Sequence, residues 1–326
     1  MKRLILTSSS GLDLMHPGLA EVVIAFVFRF VGGPLPSPDE LAGYVAARSE
    51  IHGPGAHWSD FVGRWPQDAK GRKHLSLAEF CQAYEVVELW FDPDPNHQLL
   101  LIWLLDHFRS HPETVAKSRL RLVDFALIGL PPEGLGRRKV PTVDLTEDEL
   151  ETAHLAWQAY RATTPEACFG LLGKNLSALP LLRPALLDLL EELPSSATGL
   201  GATEIRFLEL IARGYTQTNA LFHLRTPRRT RVFNESELGW LLEGLAHGPM
   251  PVVAGLDDAL RTICRKNLRD RHAAYPRSRL SLTEFGKAVL AHHEDFSCHN
   301  PIDRWWGGTR LTHDRLWRLD SVLTRP

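Results

Sequence analysis

In the N-terminal third of the chain, four apolar stretches run without alternation, and turn residues close each of them. Leu4 to Thr7 runs into Ser8-Ser9-Ser10-Gly11, Glu21 to Phe30 into Gly32-Gly33-Pro34, Val86 to Phe91 into Asp92-Pro93-Asp94-Pro95, and Leu120 to Ile128 into Gly129. Unbroken runs of this length are the pattern of strands buried on both faces, and such strands are typically parallel. Directly after the third run, Asn96 to Phe108 places Leu99, Leu100, Ile102, Trp103, Leu105 and Phe108 around a helix. The pattern predicts an α/β domain over residues 1–142 with a short, mainly parallel, Rossmann-like sheet. Ligands of open parallel sheets sit at the carboxyl ends of strands, so the polar turns are where chemistry is expected.

Pro131 to Thr142, rich in Pro, Gly and Arg, reads as a loop or linker. A helical connector is expected over residues 143–198. It opens on Thr146-Glu147-Asp148-Glu149, which has the form of a capping box, and carries Leu150, His154, Trp157 and Tyr160. A leucine-rich helix, Leu179 to Leu193, ends at Pro194-Ser195-Ser196. From residue 199 to 326 the rhythm changes to helices over Thr203–Arg213, Thr218–Leu224 and Ser236–His247, followed by a strand-like run, Met250 to Ala254. Leu280 to Leu290 then reads as a returning strand entering a last helix. Three short helices and a returning strand predict a winged-helix-like domain, although the insertion Asp257 to Arg279 is long for a wing.

Several of these stretches together resemble a bacterial family catalogued as domain of unknown function 1835, with its associated C-terminal domain. The resemblance rests on Leu89-Trp90-Phe91-Asp92-Pro93-Asp94 with Gln98 and a leucine helix, Leu179-Pro180, Gly199-Leu200-Gly201-Ala202-Thr203-Glu204, and Ile302-Asp303-Arg304-Trp305-Trp306-Gly307-Gly308. It spans nearly the whole chain and implies a fold and boundaries but no known activity. The family's first loop usually carries Gly-Asp-Ser where this chain has Ser8-Ser9-Ser10, and its second strand usually ends in acids where this chain has Phe30 and Gly32. If those acids carry chemistry in relatives, this chain lacks it.

Composition narrows the classes. With 326 residues, 44% apolar and 23% charged, the chain can bury a sizeable core, which excludes wholesale disorder and collagen-like structure. Cys81, Cys168, Cys264 and Cys298 lie far apart with no C-x-x-C pair, which argues against a disulfide framework or thiolate zinc site and fits a reducing cytoplasm. Leu4-Ile5-Leu6 is too short for a secretory h-region, and Val22 to Phe28 is too short for a membrane helix, so no signal peptide or membrane partner is expected. Net charge divides unevenly: 19 Lys/Arg against 14 Asp/Glu from Gly201 onward, net +5, and 18 against 25 before it, net −7. The C-terminal part is therefore the more plausible partner of an anion, unless its arginines only form a solvated face.

Four groups of residues are candidate sites. Ser8, Ser9, Ser10 and Gly11 follow the first strand, where hydroxyls and amide N–H groups can hold a phosphate or carboxylate or simply make a serine-rich turn. No dinucleotide or P-loop glycine fingerprint occurs, and no motif names a cofactor. Asp92, Asp94 and His97, with Gln98 beside them, crowd the end of the third strand. They suit acid–base work or a divalent ion, or a plain turn with Asp94 capping the next helix; Arg29 faces the same crevice if its strand is adjacent. Asp303, Arg304, Trp305 and Trp306 suit either a ligand clamp or a structural ion pair with two apolar rings. Arg225, Arg228, Arg229 and Arg231 would lie near phosphates if the third helix entered a groove, but that helix offers few side chains for base edges.

The expectation from these residues is a cytoplasmic regulatory or adaptor protein. Its N-terminal crevice would bind a small anionic ligand, and its C-terminal domain would bind nucleic acid or a protein. The alternatives are an enzyme acting on a phosphorylated or nucleotide-like substrate through Asp92, Asp94 and His97, and a structural interaction module.

Overall fold

The computed structural model describes residues 2–15, 19–62, 65, 69–129, 139–224 and 232–326. The chain forms two compact units. The first comprises Met1–Phe30, Pro34–Ala162 and Gly170–Ala185, and the second Val31–Gly33, Thr163–Phe169 and Leu186–Pro326. Residues 143–198, expected to form a connector, are shared between them.

The first unit is built on five strands: β1 (Arg3–Ser8), β2 (Val22–Phe26), β3 (Val86–Phe91), β4 (Ser118–Leu122) and β5 (Thr142–Asp144). They lie in the order β2-β1-β3-β4-β5. The first four are parallel, with Leu6 paired to Ile24 and Leu89, and Leu89 to Leu120; β5 runs antiparallel to β4. The unalternated sequence has its cause here: from Leu4 to Ser8 and from Val22 to Phe26 every residue is buried. Two expected runs are shorter as strands. The second stops at Phe26 and leaves Val27 to Phe30 as a loop, and the fourth stops at Leu122. In both cases hydrophobic residues continue into a partly buried loop, and apolar content alone cannot mark the end of the ladder.

Helices α1 (Pro38–Val45), α2 (Leu77–Cys81), α3 (Pro95–Phe108), α4 (Pro112–Lys117) and α5 (Glu147–Arg161) belong to this unit, and the helices Glu166–Leu171 and Leu182–Leu190 are each divided by the unit boundaries. The Thr146 capping box opens α5 as the sequence predicts. Helix α3 is buried nearly all round, from Pro95 through Leu105 and at Phe108. Its Trp103 meets Phe26 edge-on at 5.6 Å, and Trp157 of α5 packs on Phe30 at 5.0 Å. One charge is buried on the sheet: Glu88 accepts from Trp90 Nε1 (2.8 Å) and from Arg121 Nη2 (2.7 Å) and Nε (3.2 Å). Arg121 also lies over the Trp90 ring, so the buried carboxylate is paired and hydrogen-bonded.

The order β2-β1-β3 has one topological consequence. The chain leaves β1 to one side to make β2, then crosses back over β1 to make β3 on the other. The carboxyl ends of β1 and β3 therefore flank the point where the winding reverses, the place where open parallel sheets generally take their ligands.

The second unit is mainly helical: α6 (Ala202–Ala212), α7 (Thr218–His223), α8 (Glu235–His247), α9 (Leu268–Ala274) and α10 (Glu284–Leu290). Its strands form three small antiparallel pairs: β6 (Val253–Ala254) with β7 (Ser281–Leu282), β8 (Asp303–Trp306) with β9 (Thr309–Thr312), and β10 (Arg318–Leu319) with β11 (Leu323–Thr324). Leu208, Leu242, Leu245, Val252, Val253, Leu280 and Val289 share its core. Gly307, at φ 54°, makes the two-residue turn between β8 and β9 that a side chain would disfavour. Among the described residues of both units, no helix is long and apolar enough to cross a membrane, and all four cysteines are free.

A second buried carboxylate sits at the start of α6. Glu192 accepts from Thr203 Oγ1 (2.5 Å) and Thr203 N (3.1 Å), while neighbouring Glu204 accepts from Gly201 N (2.9 Å) and pairs with Arg304 (2.8 Å). Burial pushes Glu192 up from its ordinary value of 4.5 to about 7; Glu204 adds to this, and Thr203 and Arg304 oppose it. A carboxyl held above its unfolded value contributes stability that is complete below pH 4.5 and is lost as the pH rises through about 7. Glu192→Gln keeps an acceptor for Thr203 without the charge. It is expected to stabilise the protein by roughly 3 kcal/mol at pH 8.5 and by little at pH 4. Denaturant melts at the two pH values test this, and an equal effect at both would refute it.

Candidate functional site

The site forms where β1 and β3 end at the reversal of winding. Beyond β1 the chain turns at once into a 3-10 segment, Ser9–Met15. This turn needs Gly11: a Cβ there would come within 2.0 Å of Thr7 Oγ1, and Thr7 is fixed by its bond to the Trp90 carbonyl (2.6 Å). Ser8 and Ser10 are buried with their hydroxyls 2.9 Å apart, and Ser9 is exposed.

Beyond β3, Asp94 is the N-cap of α3, its Oδ1 accepting from Asn96 N (2.8 Å) and His97 N (3.4 Å), and Pro95 takes the first helical position. The cap sets His97 in the first turn, facing back towards the strand ends. His97 Nδ1 lies 2.6 Å from Asp92 Oδ1. Ser10 Oγ donates to Asp92 Oδ2 at 3.0 Å and lies 3.4 Å from the same imidazole nitrogen. Asp92 also accepts from Asp94 N (3.2 Å) and Leu127 N (3.0 Å), and Gln98 Nε2 donates to the Asp92 carbonyl (2.8 Å). Ser10, Asp92, His97 and Gln98 are all at most 8% exposed.

Three ionisable groups share this space. Burial works to raise the Asp92 carboxyl, but the bond and charge of His97, the Leu127 amide and the Ser10 hydroxyl carry it below the ordinary value. Burial raises Asp94, with Asp92 adding to it and His97 and Arg29 opposing. For His97 burial disfavours the imidazolium, yet Asp94 and Asp92 outweigh both burial and the nearby Arg29, and its pKa is raised. Arg29, on the loop after β2, thus lies close enough for its charge to bear on both Asp94 and His97.

The arrangement separates the roles of the three acidic and basic residues. Asp92 has both oxygens engaged by protein donors and acts as an orienting group. Asp94 serves as the helix cap. Two polar atoms of the three remain without a hydrogen-bond partner among the described residues, His97 Nε2 and Asp94 Oδ2. Ser10 stands on the Nδ1 side of the ring with the carboxylate, so the three residues do not form a nucleophile relay, in which the hydroxyl meets Nε2. Among the described residues no three His, Cys, Asp or Glu side chains converge as a metal-ligand set.

The other candidates are placed as follows. On β8, alternation divides the Asp-Arg-Trp-Trp run between two faces. Asp303 forms an exposed bidentate pair with Arg310 (2.8 and 2.9 Å) across the hairpin, and Trp305 is 37% exposed. Arg304 turns the other way to Glu204, and Trp306 is buried with Nε1 donating to the Leu189 carbonyl (2.6 Å). The single clamp expected from Asp303, Arg304 and Trp305 is therefore not assembled. Arg225, Arg228, Arg229 and Arg231 lie outside the described residues. Two participants escape a reading of motifs: the Leu127 amide on Asp92, and Asn96, whose only sequence signal is its place behind Asp94-Pro95.

No family model matches the chain, and no curated protein matches it.

The Asp92–His97 pair predicts a specific pH response. Asp92, held low, contributes stability above its unfolded value of 3.8 and loses it as pH falls; His97, held high, contributes below its unfolded value of 6.5 and loses it as pH rises through its folded value. Their joint contribution is largest between the two. Asp92→Asn leaves a buried imidazole without its carboxylate and is expected to cost roughly 3–5 kcal/mol in melts at pH 6. NMR titration should show His97 losing its proton at lower pH in that variant. An unchanged titration would remove the pair as the organising contact.

Proposed function

We propose that the protein is a cytoplasmic regulatory or adaptor protein whose first unit binds a small anionic ligand at the ends of β1 and β3. The observation that carries this reading is His97, bonded through Nδ1 to Asp92 at the reversal of winding with its imidazolium form favoured and Nε2 left over, and with Arg29 nearby. An imidazole at the first turn of a helix with a guanidinium on the neighbouring loop after β2 is a chemistry for phosphate or carboxylate. The same Nε2 favours one second reading. A histidine whose Nδ1 is fixed by a carboxylate is arranged to pass a proton through its other nitrogen, which suits an enzyme acting on a phosphorylated or nucleotide-like substrate.

The winged-helix-like reading of the second unit belongs to the same proposal. It is supported by the order of α6, α7 and α8 followed by the antiparallel pair β6 and β7. Helix α8 opens on Glu235 and Glu237, an acidic turn that favours a protein partner over nucleic acid. The likeness to the domain of unknown function 1835 family is likewise proposed on its motifs alone, and it adds no activity.

Calorimetric titration of the whole protein with inorganic phosphate tests the first unit. Binding is expected, weakened roughly tenfold or more by either Arg29→Gln or His97→Gln. Absent binding, or binding indifferent to both substitutions, would overturn the anion reading. For the second unit, fluorescence anisotropy with duplex DNA is expected to show no binding that falls steeply between about 50 and 200 mM salt. Such a fall would overturn the preference for a protein.

A further inference from the structure

The residue that joins the two halves of the site has no charge and was not among the candidates. Asn96 is 1% exposed and sits in the first turn of α3, next to His97. Its side-chain amide makes two bonds to the loop after β2: Nδ2 donates to the Phe28 carbonyl (2.9 Å), and Oδ1 accepts from Phe30 N (2.7 Å). The two bonded backbone groups bracket Arg29. The amide thereby takes the place of a neighbouring strand after the ladder of β2 has ended at Phe26. The rings on either side are anchored as well. Phe28 and Phe30 stack at 5.6 Å and both meet Trp103 of α3 edge-on, at 5.6 and 6.0 Å. The Phe30 carbonyl accepts from Tyr160 Oη at 3.2 Å.

We infer that Asn96 is a positioning residue of the proposed anion site, holding the Arg29 segment against the helix turn that presents His97. The inference rests on the anion reading for its purpose but not for its geometry. A bidentate amide fixes both translation and tilt of the segment, whereas ring packing restrains it less directionally. One side chain thus sets the separation of two cations that arrive from different parts of the sequence. The groups that face His97 are Asp92 beyond β3, Asp94 at the cap, Ser10 beyond β1 and Arg29 on the loop.

A double-substitution cycle read by NMR titration of His97 tests this. In the wild-type background, Arg29→Gln removes a nearby positive charge and should move the His97 midpoint upward. In an Asn96→Leu background, which conserves volume and removes both bonds, the same Arg29→Gln change should move it little or not at all. If the Arg29→Gln shift is equal in the two backgrounds, the rings and Tyr160 hold Arg29 unaided and the inference falls. Should Asn96→Leu fail to fold, Asn96→Asp loses the donor to the Phe28 carbonyl, and its own charge cancels within the cycle. Phosphate titration of the same four proteins separates the two ideas. Failure of phosphate to bind any of them defeats the anion reading, while the His97 cycle still decides the role of Asn96.

Discussion

The first unit depends on how one carboxylate is satisfied. Asp92 stands at the end of a buried strand, where an unpaired charge would be costly, and it accepts from the turn beyond β1, from its own turn, from the first turn of α3 and from the segment beyond β4. Those groups come from three parts of the chain: the turn beyond β1, the capped start of α3 and the segment beyond β4. The sheet sets the register of the strands, and the bonds to a single buried group tie together the segments beyond their ends. The upward shift of His97 follows from the same demand, because a buried carboxylate favours a cation on the atom that hydrogen-bonds to it. The geometry on which the proposed site rests is thus a by-product of how the strand end is stabilised.

Much of this was legible in the residues. Unalternated apolar runs announce a parallel sheet because burial on both faces leaves no position for a polar residue, and β1 to β3 follow that logic. Asp92, Asp94 and His97 were identifiable because three ionisable groups within six residues of a strand end are chemically conspicuous. Their division of labour was not legible. Whether an aspartate caps a helix or orients a histidine depends on which donor the backbone brings to it, and the Leu127 amide arrives from a distant part of the chain. Asn96 was silent for a related reason: its partners are backbone groups, and backbone groups leave no mark in a sequence.

The Asp-Arg-Trp-Trp run teaches the converse. Adjacent residues that look like one ligand clamp fall on opposite faces once the segment becomes a strand, and each face then finds its own partners in Arg310 and Glu204. A contiguous motif is evidence of a shared site only when the local backbone is not extended. In the serine run after β1, by contrast, the tight turn lets residues two apart meet, as Ser8 and Ser10 do. The difference between the two motifs lies in local geometry rather than composition.

The five-stranded sheet ends in a three-residue strand on one side and carries a single bridge on the other. On one side the short polar strand β5 runs against β4, its Asp144 pairing with Arg119 at 2.5 Å; on the other, Val62 bridges to Ile24 of β2. An exposed ladder of unpaired amides would template the addition of strands from other molecules. By ending in an antiparallel, charged segment and a single bridging residue, the sheet offers a second chain little to extend. Self-association through continuous sheets is thereby discouraged, even though the strands inside are almost wholly buried and apolar.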